Sequence, residues 1–298
     1  MKSIIVSKTL CDFSKEIEKT FKPDSIMLEL ALKNKDHVNV YSIQYLSRGL
    51  KIAGFVIEPK EKKELLPCII WNRGGSRDFG AISPLNCYVQ MARIAREGYI
   101  VFASQYSGGP GSEGIDDWGD KNIEDVLVLK KVIREWPNTD SKNIGMFGHS
   151  RGGFMTYNAL SKVKWIRAAV IIAGCADQIY TAKHREGWRK HQINLYGKSK
   201  VEQIKRSPLY WPEKLCKKTP MLLMHGSADG HVFLHDSMKM AERLYELKIP
   251  YRFITYEGAG HDLREFKKES NQQMLEWFGR FLKNKEKLPN LKIQKPPK

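Results

Sequence analysis

The chain has 298 residues, of which 42% are hydrophobic, 28% charged and 10% aromatic. That composition excludes a disordered or low-complexity chain and suits one large α/β domain. The net charge of +17 is spread along the chain and mixed with acids, as in Lys60-Glu61-Lys62-Lys63-Glu64, which describes a solvated surface.

No helix-turn-helix, zinc-finger or aromatic-plus-basic signature points to nucleic acid. No apolar run is long enough to span a membrane. The opening stretch, MKSIIVSKTLCDFSKE, is too weakly apolar for a signal peptide. The five cysteines (Cys11, Cys68, Cys87, Cys175, Cys216) are scattered with no Cys-x-x-Cys spacing. A disulfide framework or metal site is therefore not expected, no cofactor is implied, and a cytoplasmic location fits.

Residues 1–36 read as an extension packing on the core, with a helix around Phe13–Phe21. From His37 to Pro59 two alternating stretches meet at Ser47-Arg48-Gly49, which predicts an antiparallel hairpin. After the charged loop Lys60–Leu65, the apolar run Leu66-Pro67-Cys68-Ile69-Ile70-Trp71 predicts a strand buried on both faces. It ends in Asn72-Arg73-Gly74-Gly75. Those glycines read either as a tight turn or as a place where backbone approaches a ligand closely.

Leu85–Glu97 reads as a helix and Tyr99–Ala103 as a strand. Gln105–Gly119 contains Gly108, Gly109, Gly111, Gly114 and Gly119, and reads as a flexible loop near a site rim. Asn122–Trp136 has the spacing of a long amphipathic helix.

Next comes NIGMFGHSRGGFMTYNAL, Asn143–Leu160. A short apolar run stops at Gly148-His149-Ser150-Arg151-Gly152, and helical spacing resumes at Phe154. A Gly-x-Ser-x-Gly arises by chance in about one chain in ten of this length, so the pentapeptide alone decides little. The strand before it and helix after it are what a nucleophile elbow requires. Small neighbours let the backbone double back and leave Oγ exposed. The helix beginning at Arg151 directs free N–H groups and its positive dipole end toward a developing oxyanion.

Trp165–Gly174 and Pro220–Gly226 follow as strands, separated by an insertion, and Val232–Leu247 as a helix. Tyr251–Tyr256 is the last strand and Leu263–Leu282 the last helix. Lys283–Lys298 is a basic tail. Strands alternating with helices over residues 37–282 predict a mainly parallel sheet flanked by helices, and the nucleophile elbow set in it points to the α/β-hydrolase fold.

A serine nucleophile needs a base, and the base an orienting acid. In this fold the chain order is Ser, Asp or Glu, then His, each after a late strand. Asp229 follows the strand ending at Gly226, and His261 follows the strand ending at Tyr256. Asp236 and Asp262 are rival acids, the first inside a helix and the second adjacent to the base.

His149-Ser150-Arg151-Gly152-Gly153, His225-Gly226-Ser227-Ala228-Asp229 and Gly260-His261 resemble the catalytic domain of the prolyl oligopeptidase family. Trp118-Gly119-Asp120 and Asp125-Val126 resemble the segment before that family's elbow. The resemblance covers roughly residues 49–282. It implies Ser150 as nucleophile, Asp229 and His261 completing a triad, and the N–H groups of Arg151 and Gly75 as an oxyanion hole. Fewer than fifty residues precede the hydrolase core, too few for the propeller of larger family members.

The expected substrate is therefore a small ester or short peptide, with acyl hydrolysis the firmer expectation. Serine at position 150 excludes a thiol-based dienelactone hydrolase. The alternative is a basic binding protein on a hydrolase scaffold. The insertion, residues 176–211, is expected to cap the site, with Tyr180, Trp188 and Trp211 as substrate-binding aromatics.

Overall fold

The computed structural model describes residues 3–14 and 26–291. Nine strands form one sheet: β1 (Ile5–Leu10), β2 (Val38–Ser47), β3 (Leu50–Pro59), β4 (Leu66–Asn72), β5 (Ile100–Ser104), β6 (Thr139–His149), β7 (Ile166–Ile172), β8 (Met221–Gly226) and β9 (Tyr251–Tyr256). Their order is β1-β2-β3-β5-β4-β6-β7-β8-β9. The pairs from β1 to β5 are antiparallel, and those from β5 to β9 are parallel.

The hairpin forms as predicted. Ser47 pairs with Leu50, and the two turn residues, Arg48 and Gly49, sit at φ 51° and 80°. A two-residue turn with both central residues left-handed matches the twist of the strands it joins.

The helices are α1 (Ile26–Lys35), α2 (Pro84–Asn86), α3 (Ala92–Arg96), α4 (Ile123–Leu127), α5 (Leu129–Glu135), α6 (Arg151–Lys162), α7 (Gln178–His184), α8 (Glu186–Tyr196), α9 (Lys200–Lys205), α10 (Leu234–Glu246) and α11 (Lys267–Phe278). One face of the sheet packs on α4, α5, α6 and α10, through residues such as Val126, Ile133, Phe154, Tyr157 and Leu244. The other packs on α1, α3 and α11, through Ala31, Ile94, Met274 and Phe278. Both faces are covered, which is why β4 to β8 read as continuous apolar runs rather than alternating ones. Among the described residues no helix is long and apolar enough to cross a membrane.

Three expectations change and one is not tested. Most of the helix expected around Phe13–Phe21 lies outside the described residues. Ile5–Leu10 is an edge strand, exposed along most of its length. It is held by backbone pairing to β2, so it has no apolar pattern to reveal it. The helix at 122–136 breaks at Val128 into α4 and α5. The glycine-rich loop is not a loose rim: Tyr106, Ser107, Asp116 and Trp118 within it are buried.

Strands β4, β6, β7, β8 and β9 are parallel, so their carboxyl ends share one edge of the sheet. Asn72, His149, Ile172, Gly226 and Tyr256 end there, and every loop carrying a candidate site residue leaves from it.

Candidate active site

Ser150 sits between β6 and α6 at φ 58°, ψ −124°, a left-handed conformation costly for a side-chain-bearing residue. Neighbouring backbone over-determines it. Its N–H donates to the Ile172 carbonyl at 3.0 Å, and its carbonyl accepts from Gly153 at 2.9 Å and Cys175 at 3.2 Å. Gly152 is required by contact, because a Cβ there would lie 2.0 Å from the Asn72 carbonyl oxygen. The absent methyl lets α6 start directly against the end of β4.

The acid and base come from the ends of β8 and β9, beyond β7. Asp229 Oδ2 accepts from His261 Nδ1 at 2.7 Å, and lies 3.2 Å from His225 Nε2. Its Oδ1 accepts from the N–H groups of His231 at 2.7 Å and Val232 at 3.0 Å. Burial raises the Asp229 pKa, but donation from His225, His261 and the His231 N–H outweighs it and holds the carboxyl well below its usual range. Asp229 is thus an anion at any working pH, and it fixes His261 with Nδ1 engaged and Nε2 free to exchange protons. Of the rival acids, Asp236 is fully buried and accepts from the N–H groups of Ala176 and Asp177. Asp262 lies 3.9 Å from His149, not at a nitrogen of His261.

Ser150 and His261 line the same cavity, of about 860 Å³, with the Asn72–Gly75 loop on one side. Gly75 is left-handed at φ 69°, and a Cβ there would lie 2.1 Å from the Phe79 carbonyl oxygen. The Gly74 carbonyl accepts from Arg73 Nη1 at 3.3 Å. In a trans peptide the N–H points opposite to the C=O, so this bond turns the Gly75 N–H away from Arg73. Arg151, first residue of α6, has no acceptor in a preceding turn for its own N–H.

Several residues that organise this site were not singled out from sequence. The Arg151 guanidinium is buried and donates to Asp116 Oδ2 at 2.7 Å and Oδ1 at 2.5 Å, and to the Gly75 carbonyl at 2.9 Å. Asp116 also accepts from the N–H groups of Arg77 and Trp118 and from Asn122 Nδ2. Burial works against its charge, but the Arg151 guanidinium holds the carboxyl well below the usual range. His149 Nε2 donates to the His261 carbonyl at 3.0 Å. Burial first, and the His261 ring second, push its pKa down to about 4, so it is neutral near pH 7. No sequence pattern marks these contacts, since each joins loops distant in the chain.

The three cap aromatics do not line this cavity. Tyr180 stacks on His235 with centroids 3.7 Å apart. Trp188 lies against Trp118 and donates its indole N–H to Gln178 Oε1 at 3.0 Å. Trp211 is buried in the core, its indole N–H bound to the Ile204 carbonyl at 3.0 Å. With both its face and its N–H in use, Trp211 anchors the end of the 176–211 insertion to the core. Among the described residues no group of three or more His, Cys, Asp or Glu is arranged to hold a metal ion.

A half-buried serine, an oriented imidazole and a buried carboxylate at the ends of β6, β9 and β8, on one edge of the sheet, can together transfer an acyl group. Comparisons with known proteins agree. Residues 86–285 match the model of the prolyl oligopeptidase family. The uncharacterized peptidase YtmA of Bacillus subtilis (strain 168) is 29% identical over 254 residues, 84% of this chain and 95% of that protein. The probable dipeptidyl-peptidase 5 of Aspergillus flavus is 24% identical over 80% of this chain but only 35% of its own length. Among solved structures, Pyrococcus horikoshii acylaminoacyl peptidase superposes with TM-score 0.73 at 22% identity, over 88% of this chain and 45% of that one. The chain therefore spans nearly all of one relative and less than half of the longer ones.

Proposed function

Because the chain belongs to the prolyl oligopeptidase family of serine hydrolases, we propose that Ser150, His261 and Asp229 cleave esters and short peptides through an acyl-enzyme. Ser150 Oγ attacks the substrate carbonyl carbon while its proton passes to His261 Nε2. The carbonyl electron pair moves onto oxygen, where the N–H groups of Arg151 and Gly75 receive it. Collapse of that intermediate expels the amine or alcohol, which takes the proton from His261. Water then repeats the sequence, releasing the acid and restoring Ser150.

The observation that carries this reading is the 2.7 Å bond between the buried Asp229 and His261 Nδ1, with His261 lining the same cavity as Ser150. Nothing in the geometry favours the binding-protein alternative. The insertion, residues 176–211, runs from the end of β7 to the start of β8 across the catalytic edge, and we assign it as a steric cap. Among the described residues no disulfide joins the buried cysteines, which fits a reducing compartment such as the cytoplasm.

The test is labelling of Ser150 by a fluorophosphonate, together with turnover of aryl esters and peptide amides by wild type and Ser150→Ala. Wild type is expected to label and to hydrolyse both classes. Ser150→Ala should neither label nor turn over beyond the small residue that binding and the oxyanion donors sustain. A folded Ser150→Ala protein with full activity overturns the assignment.

A further inference from the structure

The cavity that holds Ser150 continues between α3, α11 and α1, and its charge is one-sided. Six cations line it (Lys33, Arg73, Arg93, Arg96, Arg264 and Lys267) against a single carboxylate, Asp262. Four of the six are occupied. Arg73 donates to the carbonyls of Gln105, Gly74, Phe79 and Arg77. Arg96 donates to Asn34 Oδ1, Lys33 pairs with Glu29, and Arg264 lies 3.7 Å from Asp262.

Arg93 and Lys267 are different. The Arg93 side chain makes no hydrogen bond or ion pair among the described residues, and its Nε is buried without a partner. Burial alone pushes its pKa down to about 10. Lys267 reaches only the Asp262 carbonyl, at 3.4 Å. Its side chain is exposed, yet desolvation, and then the Arg93 charge, depress its pKa. A buried guanidinium with no acid partner, close enough to depress a neighbouring ammonium that Asp262 only partly supports, is an arrangement that an anion would relieve.

Position assigns the anion to one side of the scissile bond. Lys267 opens the helix that follows the His261 loop, and its ammonium lies over Asp262, next to the base. The departing group is the one that takes its proton from His261, so it leaves on that side. The same cavity is lined by the apolar side chains of Trp71, Phe147 and Met274. A planar guanidinium beside a point-charge ammonium suits a carboxylate.

We propose that Arg93 and Lys267 form a subsite for a carboxylate on the leaving group, so that the enzyme prefers short peptides ending in a free carboxyl just beyond the cleaved bond. This rests on the hydrolase reading above. The experiment compares kcat/KM for N-acetyl-tetraalanine as the free acid and as its C-terminal amide, at low and high salt. If neither is cleaved, the same pair is compared as inhibitors of p-nitrophenyl butyrate hydrolysis.

The acid should be favoured about tenfold or more at low salt, and less at high salt, because the interaction is ionic. The ratio should fall toward one in Arg93→Met and in Lys267→Met, the latter a change at an exposed position that the fold tolerates. An acid-to-amide ratio near one in wild type overturns the subsite, as does a ratio unchanged by both substitutions. Neither result touches the hydrolase reading, which stands or falls on Ser150→Ala with the neutral ester.

Discussion

Asp116→Asn probes the joint between fold and chemistry. The Asp116–Arg151 pair is buried, with 1% and 2% of the two side chains exposed. Removing one charge leaves an uncompensated guanidinium in the interior, which typically costs about 3–5 kcal/mol. Arg151 keeps some support. It still donates to the Gly75 carbonyl and lies 5.2 Å from the Tyr106 ring centroid and 5.5 Å from that of Trp118. The loss in Asp116→Asn should therefore fall near the lower end, about 3 kcal/mol. Arg151 and Gly75 are the two assigned oxyanion donors, and Asp116 aims the guanidinium that ties them together. Complete loss of one such donor costs about 10²–10³ in kcat, so a misaligned one should cost about 10–100-fold.

Urea unfolding measures the first effect, and kcat and KM on a neutral aryl ester measure the second. The paired change Asp116→Leu with Arg151→Met removes both charges, and should recover much of the stability but not kcat. A stability loss with kcat intact would show that the pair only holds the fold. If neither moved, the rings and the Gly75 carbonyl would be enough to hold Arg151, and the argument for Asp116 would fail.

Three further outcomes follow from the same geometry. Asp229→Asn should lower kcat by about 10⁴ while exposed Asp262→Asn changes it only a few-fold, and the opposite ranking moves the acid to Asp262. Gly152→Ala forces a Cβ to 2.0 Å from the Asn72 carbonyl oxygen, so it should lose both Tm and fluorophosphonate labelling; a stable, active variant would show that the elbow can open. Burial pushes the Asp236 pKa up to about 7, above the 3.8 of a free aspartate, so its contribution to stability is complete below pH 3.8 and lost as pH rises through about 7. The unfolding free energy of Asp236→Asn should gain on wild type across that window, by about 4 kcal/mol at most for a shift of that size; a constant gap refutes it.

What could be read from the sequence follows how locally each feature is encoded. The hairpin, the buried parallel strands and the three strand-end loops are written in adjacent residues, by alternation, apolar runs and glycines, and the structure places them as read. The edge strand Ile5–Leu10 was not legible because its order comes from hydrogen bonds that leave no side-chain pattern. Composition marks the aromatics of the 176–211 insertion as pocket candidates, but it cannot show that Trp211 turns into the core or that Tyr180 stacks on His235. Arg93 and Lys267 read as surface charge, because only the fold shows that no acid reaches Arg93.

The elbow itself was legible as a motif but not as a clamp. The residues at its two variable positions look like spacers that only need to fit beside the glycines. The left-handed turn at Ser150 places them against the loops on either side. His149 donates to the carbonyl of His261, the assigned base, and Arg151 donates to the carbonyl of Gly75, an assigned oxyanion donor. The strained residue and its two neighbours therefore set the nucleophile, the base loop and the oxyanion loop at once. On this argument the strain at Ser150, of order 1–3 kcal/mol for such a conformation, is held by contacts that also align the reacting groups. Relaxing the turn would then cost geometry at all three before it cost the fold.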